Sequence, residues 1–188
     1  GLGTAVITAN TAELTNAMRS ESRISSRTHE GTAALVGAAS SGTLLAVSSA
    51  VNPDLNTLGV ASSYALVGKV AGMGVGQLSG LENGVAWFSS PLSIAGMVGG
   101  TLASQSITLA PNHLAFTGFG TAVLTANAAA VTTKMRSDER IASRTRNGTV
   151  SLVGAASAGT LLAVSSAVEP SNDQTIFAAT GAGWGLYY

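Results

Sequence analysis

A run of 21 residues without a single charge, Gly31–Val51, recurs almost unchanged as Gly148–Val168. The first reads GTAALVGAASSGTLLAVSSAV and the second GTVSLVGAASAGTLLAVSSAV. At about 1.5 Å per residue, a helix of about 20 residues reaches across a hydrocarbon core of about 30 Å. Strands usually run about 3–10 residues, and both runs are rich in Ala and Leu, which favour helix. The expected element is a long apolar helix, present twice.

The likeness is wider than these runs. Gly1–Pro53 and Gly118–Pro170 align without a gap at an offset of 117, and 37 of the 53 positions are identical. Between them lies a Gly-, Ser- and Val-rich stretch, Asp54–Thr117, and Ser171–Tyr188 reads as the beginning of another such stretch. The implied unit of about 117 residues is longer than solenoid repeats, which run about 20–50. It therefore reads as a duplicated domain: residues 1–117 form a first unit, and residues 118–188 a partial second one.

Four apolar segments divide the first unit: A (Gly3–Met18), B (Thr32–Val51), C (Leu58–Leu78) and D (Gly84–Leu109). A and B recur as A′ (Gly120–Met135) and B′ (Thr149–Val168), and the tail begins a C′. Segment A is the weakest candidate to span, because Asn10, Glu13 and Asn16 interrupt it. Composition points the same way. Only 10% of the residues are charged, against about 25% in soluble domains, and apolar surface left in water is costly. The expected fold is all-α, a multi-span transmembrane helical bundle with an internal duplication, located in a membrane that the sequence does not specify.

Charge placement sets the expected topology. If A to D all span, the A–B, A′–B′ and C–D loops share one face. The first carries Arg19, Arg23 and Arg27, and the second Lys134, Arg136, Arg140, Arg144 and Arg146. Of the nine basic residues only Lys69 falls deep inside a segment, Lys134 standing at the very end of A′, whereas the opposite face has Asp54, Glu169 and Asp173. Such asymmetry is the positive-inside pattern. Arg19, Arg23 and Arg27 are spaced i, i+4, i+8, as are Arg136, Arg140 and Arg144, so each trio forms a stripe if the helix continues. Two readings apply: contact with an anionic surface such as lipid headgroups, or a solvated helix end whose cations suit the C-terminal dipole.

Glycine supplies the packing pattern. Gly68, Gly72, Gly76 and Gly80 recur every fourth residue in segment C, and Gly96 and Gly100 do so in segment D. In lipid the hydrophobic effect gives helices no mutual attraction, so close backbone approach carries association. Another helix fits such a groove, and so does a flat cofactor such as a pigment, or a lipid; helix packing is the commoner use.

Chemical motifs are missing. There is no cysteine, so thiolate sites and Cys nucleophiles are excluded. HExxH, GxSxG and P-loop patterns do not occur, and His29 and His113 fall in expected loops on opposite faces. Zero net charge gives no electrostatic reason to expect nucleic acid. Glu13 and Lys69 are the charges expected at membrane depth, each without an evident partner, and Ala130 replaces Glu13 in the second copy. The expectation is a non-enzymatic integral membrane subunit, with no catalytic or metal site, packed at the periphery of a photosynthetic or respiratory complex among other membrane subunits. A self-assembling coat, sheath or filament protein is the alternative, and a channel or carrier is a third.

Overall fold

The computed structural model describes residues 2–21, 24–51, 53–177 and 180. Among these the chain is all-helical. Its helices are α1 (Leu2–Ser20), α2 (Ser26–Val51), α3 (Leu55–Ser79), α4 (Gly84–Ala103), α5 (Pro111–Ser137) and α6 (Ser143–Val168). Among the described residues four of them, α3 to α6, are long and apolar enough to cross a membrane. The two sequence-similar stretches form the α1–α2 and α5–α6 hairpins, with α3–α4 between them in the chain.

Local chemistry marks the helix ends. Asp54 is extended and its carboxylate accepts the Thr57 amide hydrogen at 2.7 Å, capping α3. That amide bond holds the Asp54 pKa below its usual value. A folded-state value lowered in this way stabilises the fold above the ordinary carboxylate range. The contribution fades as pH falls through the lowered value. Asp54→Asn, which caps in either condition, should flatten the acid side of the stability profile, whereas Asp54→Ala should lose the cap at neutral pH as well. Melting curves at neutral and acid pH read both effects.

α2 and α6 begin six residues ahead of segments B and B′, at Ser26 and Ser143, and three further differences separate the structure from the sequence reading. Segment D stops at Ala103 rather than Leu109, because Ser104, Gln105 and Ser106 fold into a turn whose amides bond back to Gly100, Leu102 and Ala103. The A′ helix begins at Pro111, well before Gly120. Proline at the first helical position needs no amide partner and forces Ala110 to be extended. Asn56 then holds this connection from α3: its amide nitrogen donates to the carbonyls of Ser104 (3.3 Å) and Ile107 (2.8 Å), and its oxygen accepts from the Leu109 amide (2.7 Å).

The third difference concerns the arginines. α1 ends at Ser20 and α5 at Ser137, so neither trio lies on one continuous helix. Arg19 sits in the last turn of α1 and Arg27 in the first of α2, while Arg23 lies outside the described residues. Likewise Arg136 closes α5, Arg140 occupies the turn and Arg144 begins α6. In that turn Glu139 adopts a φ of 57°, which a continuing helix would forbid.

The helices pack in the neighbour order α2, α1, α4, α3, α6, α5, with a slight further touch between α1 and α3. The tightest pair is α3 with α4. A Cβ placed on Gly68 would lie 2.0 Å from the Leu92 carbonyl oxygen, and on Gly72 2.4 Å from that of Phe88. Gly76 meets Gly84 in the same way, while Gly96 and Gly100 face the α3 backbone at Tyr64 and Ala61. The glycines thus let two backbones touch. Gly80 departs from the stripe: its φ of 73° ends α3 as a left-handed cap, so it leaves the helix instead of extending the groove.

The loops collect at two ends. Asn83, between α3 and α4, donates to Ser20 Oγ at 3.0 Å, and the Trp87 indole donates to Glu21 at 3.0 Å. Arg144 donates to the Gly80 carbonyl at 3.0 Å. Hence the connections after α1, α3 and α5 share one end of the bundle, which carries the described arginines. Asp54 and Glu169 mark the other end, where Asn112 of α5 donates to the Pro170 carbonyl.

Candidate functional site

Midway along α1, α3 and α4, five polar side chains converge in otherwise apolar surroundings. Asn10 and Glu13 are three apart and share a face of α1. Ser89 and Ser93, four apart, share a face of α4, and Lys69 follows the close-contact glycine Gly68 on α3. The Lys69 ammonium donates to the Glu13 carboxylate and, at 3.3 Å, to Asn10 Oδ1. The other Glu13 oxygen accepts from the Ser89 hydroxyl at 3.1 Å. Asn10 Nδ2 donates to Ser93 Oγ at 3.2 Å and to the Val6 carbonyl at 2.8 Å. Asn10 is 3% exposed and both serines are buried, while the charged pair keeps about a third of its side-chain surface open (36% for Lys69, 33% for Glu13).

Sequence reading left Glu13 and Lys69 without partners; the fold brings them together. The missed signal was the apposition of Asn10–Glu13 with Ser89–Ser93, which depends on α1 lying against α4 rather than against α2 alone. Chemically the cluster is a neutral polar knot. The carboxylate and ammonium offset each other, and the Ser89 hydroxyl and the Asn10 amide oxygen each add a hydrogen bond to one of them. A buried charge is tolerable when paired and hydrogen-bonded in this manner.

The remaining polar residues lie apart from the knot. His29 and His113 fall within helices rather than loops. His29, in the first turn of α2, meets Thr15 Oγ1 at 2.7 Å. His113 is buried at the start of α5, where its Nδ1 is 2.8 Å from the Thr108 carbonyl. They occupy opposite ends of the bundle. Among the described residues no three His, Cys, Asp or Glu side chains gather in a metal-binding group.

At the arginine-bearing end a cleft of about 460 Å³ is lined by Gly76, Gln77, Asn83, Gly84, Arg144 and Asn147, among others. Arg144, read as an anionic-surface contact, places its guanidinium on the carbonyl of the α3 cap, where a cation complements the helix dipole. Arg19, Arg27, Arg136 and Arg140 are exposed at the same end of the bundle.

Compared with protein-family models, with curated proteins and with solved structures, the chain matches none.

Proposed function

We propose that this chain is an integral membrane subunit without catalytic function, which serves as a helical packing element in a larger membrane assembly. The observation that carries the reading is the distribution of polarity. Long apolar helices display Leu66, Leu102 and Val131 outward, while the described arginines collect at one end and Asp54 and Glu169 mark the other. A bilayer accommodates such a surface, and the basic end suits the cytoplasmic side. Duplication of an ancestral unit of four helices accounts for the two similar hairpins and keeps both in one orientation. The polar knot joins α1 to the α3–α4 pair in a medium where an unpaired charge would be costly, so its role is to fix packing. The exposed arginines then contact anionic lipid headgroups, and other membrane subunits cover the row's outer helices.

Cysteine substitution tests the orientation, since the chain has no cysteine of its own. Ser25→Cys and Ser137→Cys, both at exposed positions of the basic end, should react with an impermeant thiol reagent from the same side of sealed membranes. Ser171→Cys should react only from the other. Release of the chain by alkaline washing, or labelling of Ser25→Cys and Ser137→Cys from opposite sides, overturns the reading.

A further inference from the structure

Three helix ends meet at the cleft of the basic end. Gly76 and Gln77 belong to the last turn of α3, Gly84 and Val85 to the first turn of α4, and Arg144 and Asn147 to the first two turns of α6. Among the described residues its lining holds one guanidinium and the side-chain amides of Gln77, Asn83 and Asn147, and no carboxylate. One bond, to the Gly80 carbonyl at 3.0 Å, steadies the guanidinium, and its other N–H groups remain as donors. Asn147 is fixed on one side as well: its oxygen accepts from Arg146 at 3.0 Å, which leaves the amide hydrogens to offer. Gln77 Oε1 is buried without a partner, so no bond at that oxygen stops the amide from reorienting toward a ligand. Neither helix that starts here is capped by a side chain. Asn83 turns its amide to Ser20 and Glu21 instead, and Ala142 has nothing with which to cap α6. Both N-termini therefore keep their partial positive charge.

The matching helix start in the first copy is built differently. There Ser25 caps α2, its hydroxyl accepting from the Thr28 amide at 3.2 Å, and His29 and Glu30 follow. In the second copy Ala142 replaces Ser25, Arg146 replaces His29 and Asn147 replaces Glu30, while Arg27 recurs as Arg144. All three changes run in one direction: a cap is removed, a cation gained and an anion lost. Ala142 and Asn147 are exposed, so core packing does not account for them. We propose that this cleft binds one phosphate group, of a phospholipid headgroup or of a soluble phosphate ester. Arg144 and Asn147 are its side-chain donors, and the uncapped start of α4 faces them. Donors arriving from α3, α4 and α6 suit a tetrahedral anion better than a planar carboxylate. The lipid source rests on the membrane-subunit reading, in which the cleft lies at headgroup depth beside the exposed Leu81.

Thermal unfolding of the full chain in neutral-detergent micelles, at constant ionic strength, reads the binding. The probes are phosphatidylglycerol, inorganic phosphate and, as the control for lipid alone, diacylglycerol. At least one phosphate probe should raise the melting midpoint saturably, and diacylglycerol should not. Arg144→Gln and Asn147→Glu should each raise the apparent Kd by about tenfold or more. The second variant restores the residue of the first copy and keeps an acceptor for Arg146, so it leaves the fold intact. Arg27→Gln, at the equivalent place in α2, should leave the Kd unchanged. Saturation by phosphatidylglycerol alone assigns the lipid, and saturation by inorganic phosphate alone the soluble ester; where both saturate, the tighter names the source. No saturable shift with either probe overturns the site, as does an unaltered Kd in Asn147→Glu. So does an equal loss in Arg27→Gln, because the attraction would then belong to the whole basic end. Failure of the underlying reading looks different: the chain would leave the membrane fraction on alkaline washing and still bind inorganic phosphate through Arg144.

Discussion

Gly72→Leu is expected to drive α3 and α4 apart and to cost about 3 kcal/mol or more of stability, because overpacking against backbone has no side chain to yield. Even a Cβ at this position would sit 2.4 Å from both the Phe88 carbonyl oxygen and the Ser89 Cα. Relief requires the helix axes to separate, which also loosens Ser89 and Ser93 from the polar knot. Gly68→Leu, with its Cβ site 2.0 Å from the Leu92 oxygen, should be at least as damaging. Two controls set the scale. Leu66→Ala removes a side chain that is 64% exposed and should change stability by no more than about 0.5 kcal/mol. Gly99 has no atom within 4 Å of its Cβ site, so Gly99→Ala should be neutral or stabilising by up to about 1 kcal/mol. Unfolding titrations in mixed detergent micelles measure all four. Mild and equal effects would mean that the glycine contacts do not hold the pair together.

The second large effect belongs to the knot. Lys69→Met leaves Glu13 as an unpaired carboxylate, and Glu13→Gln leaves Lys69 as an unpaired ammonium. Each single change should destabilise by about 2–3 kcal/mol, at or below the bottom of the range for breaking a fully buried pair, because both side chains stay partly open to their surroundings. The double variant should recover most of that loss, since it removes both charges and keeps similar volumes. Ser89 would retain its acceptor in the glutamine, and Asn10 its bonds to Ser93 and the Val6 carbonyl. Additive losses in the double variant would show that Glu13 and Lys69 do not act as a pair.

What the sequence disclosed depended on the range of the interaction. The helical class and the cores of segments B, C and D follow from local apolar length and propensity. The glycine spacing in C and D marked the surfaces where α3 and α4 touch. Helix ends were less legible. Pro111 was available as a start signal for α5 but lay outside the part of A′ that aligns with A, and the serine turn after Ala103 looked apolar enough to extend D. Gly80 fell on the four-residue spacing, yet its cap role depends on the backbone turn toward Asn83. The arginine spacing suggested stripes that the ends of α1 at Ser20 and of α5 at Ser137 break. The Glu13–Lys69 pair was the least legible of all. It joins residues 56 apart in the chain through the docking of α1 on α4, and no local pattern encodes that order of neighbours.

The subunit composition of the native particle tests the proposed role most directly. Membranes containing the chain are dissolved in mild detergent, the particle is purified through a tag on the full-length chain, and its chains are identified and counted. A packing subunit should be recovered in fixed stoichiometry with other membrane-spanning chains. A particle that contains this chain alone, as a regular homopolymer that needs no detergent, would contradict it.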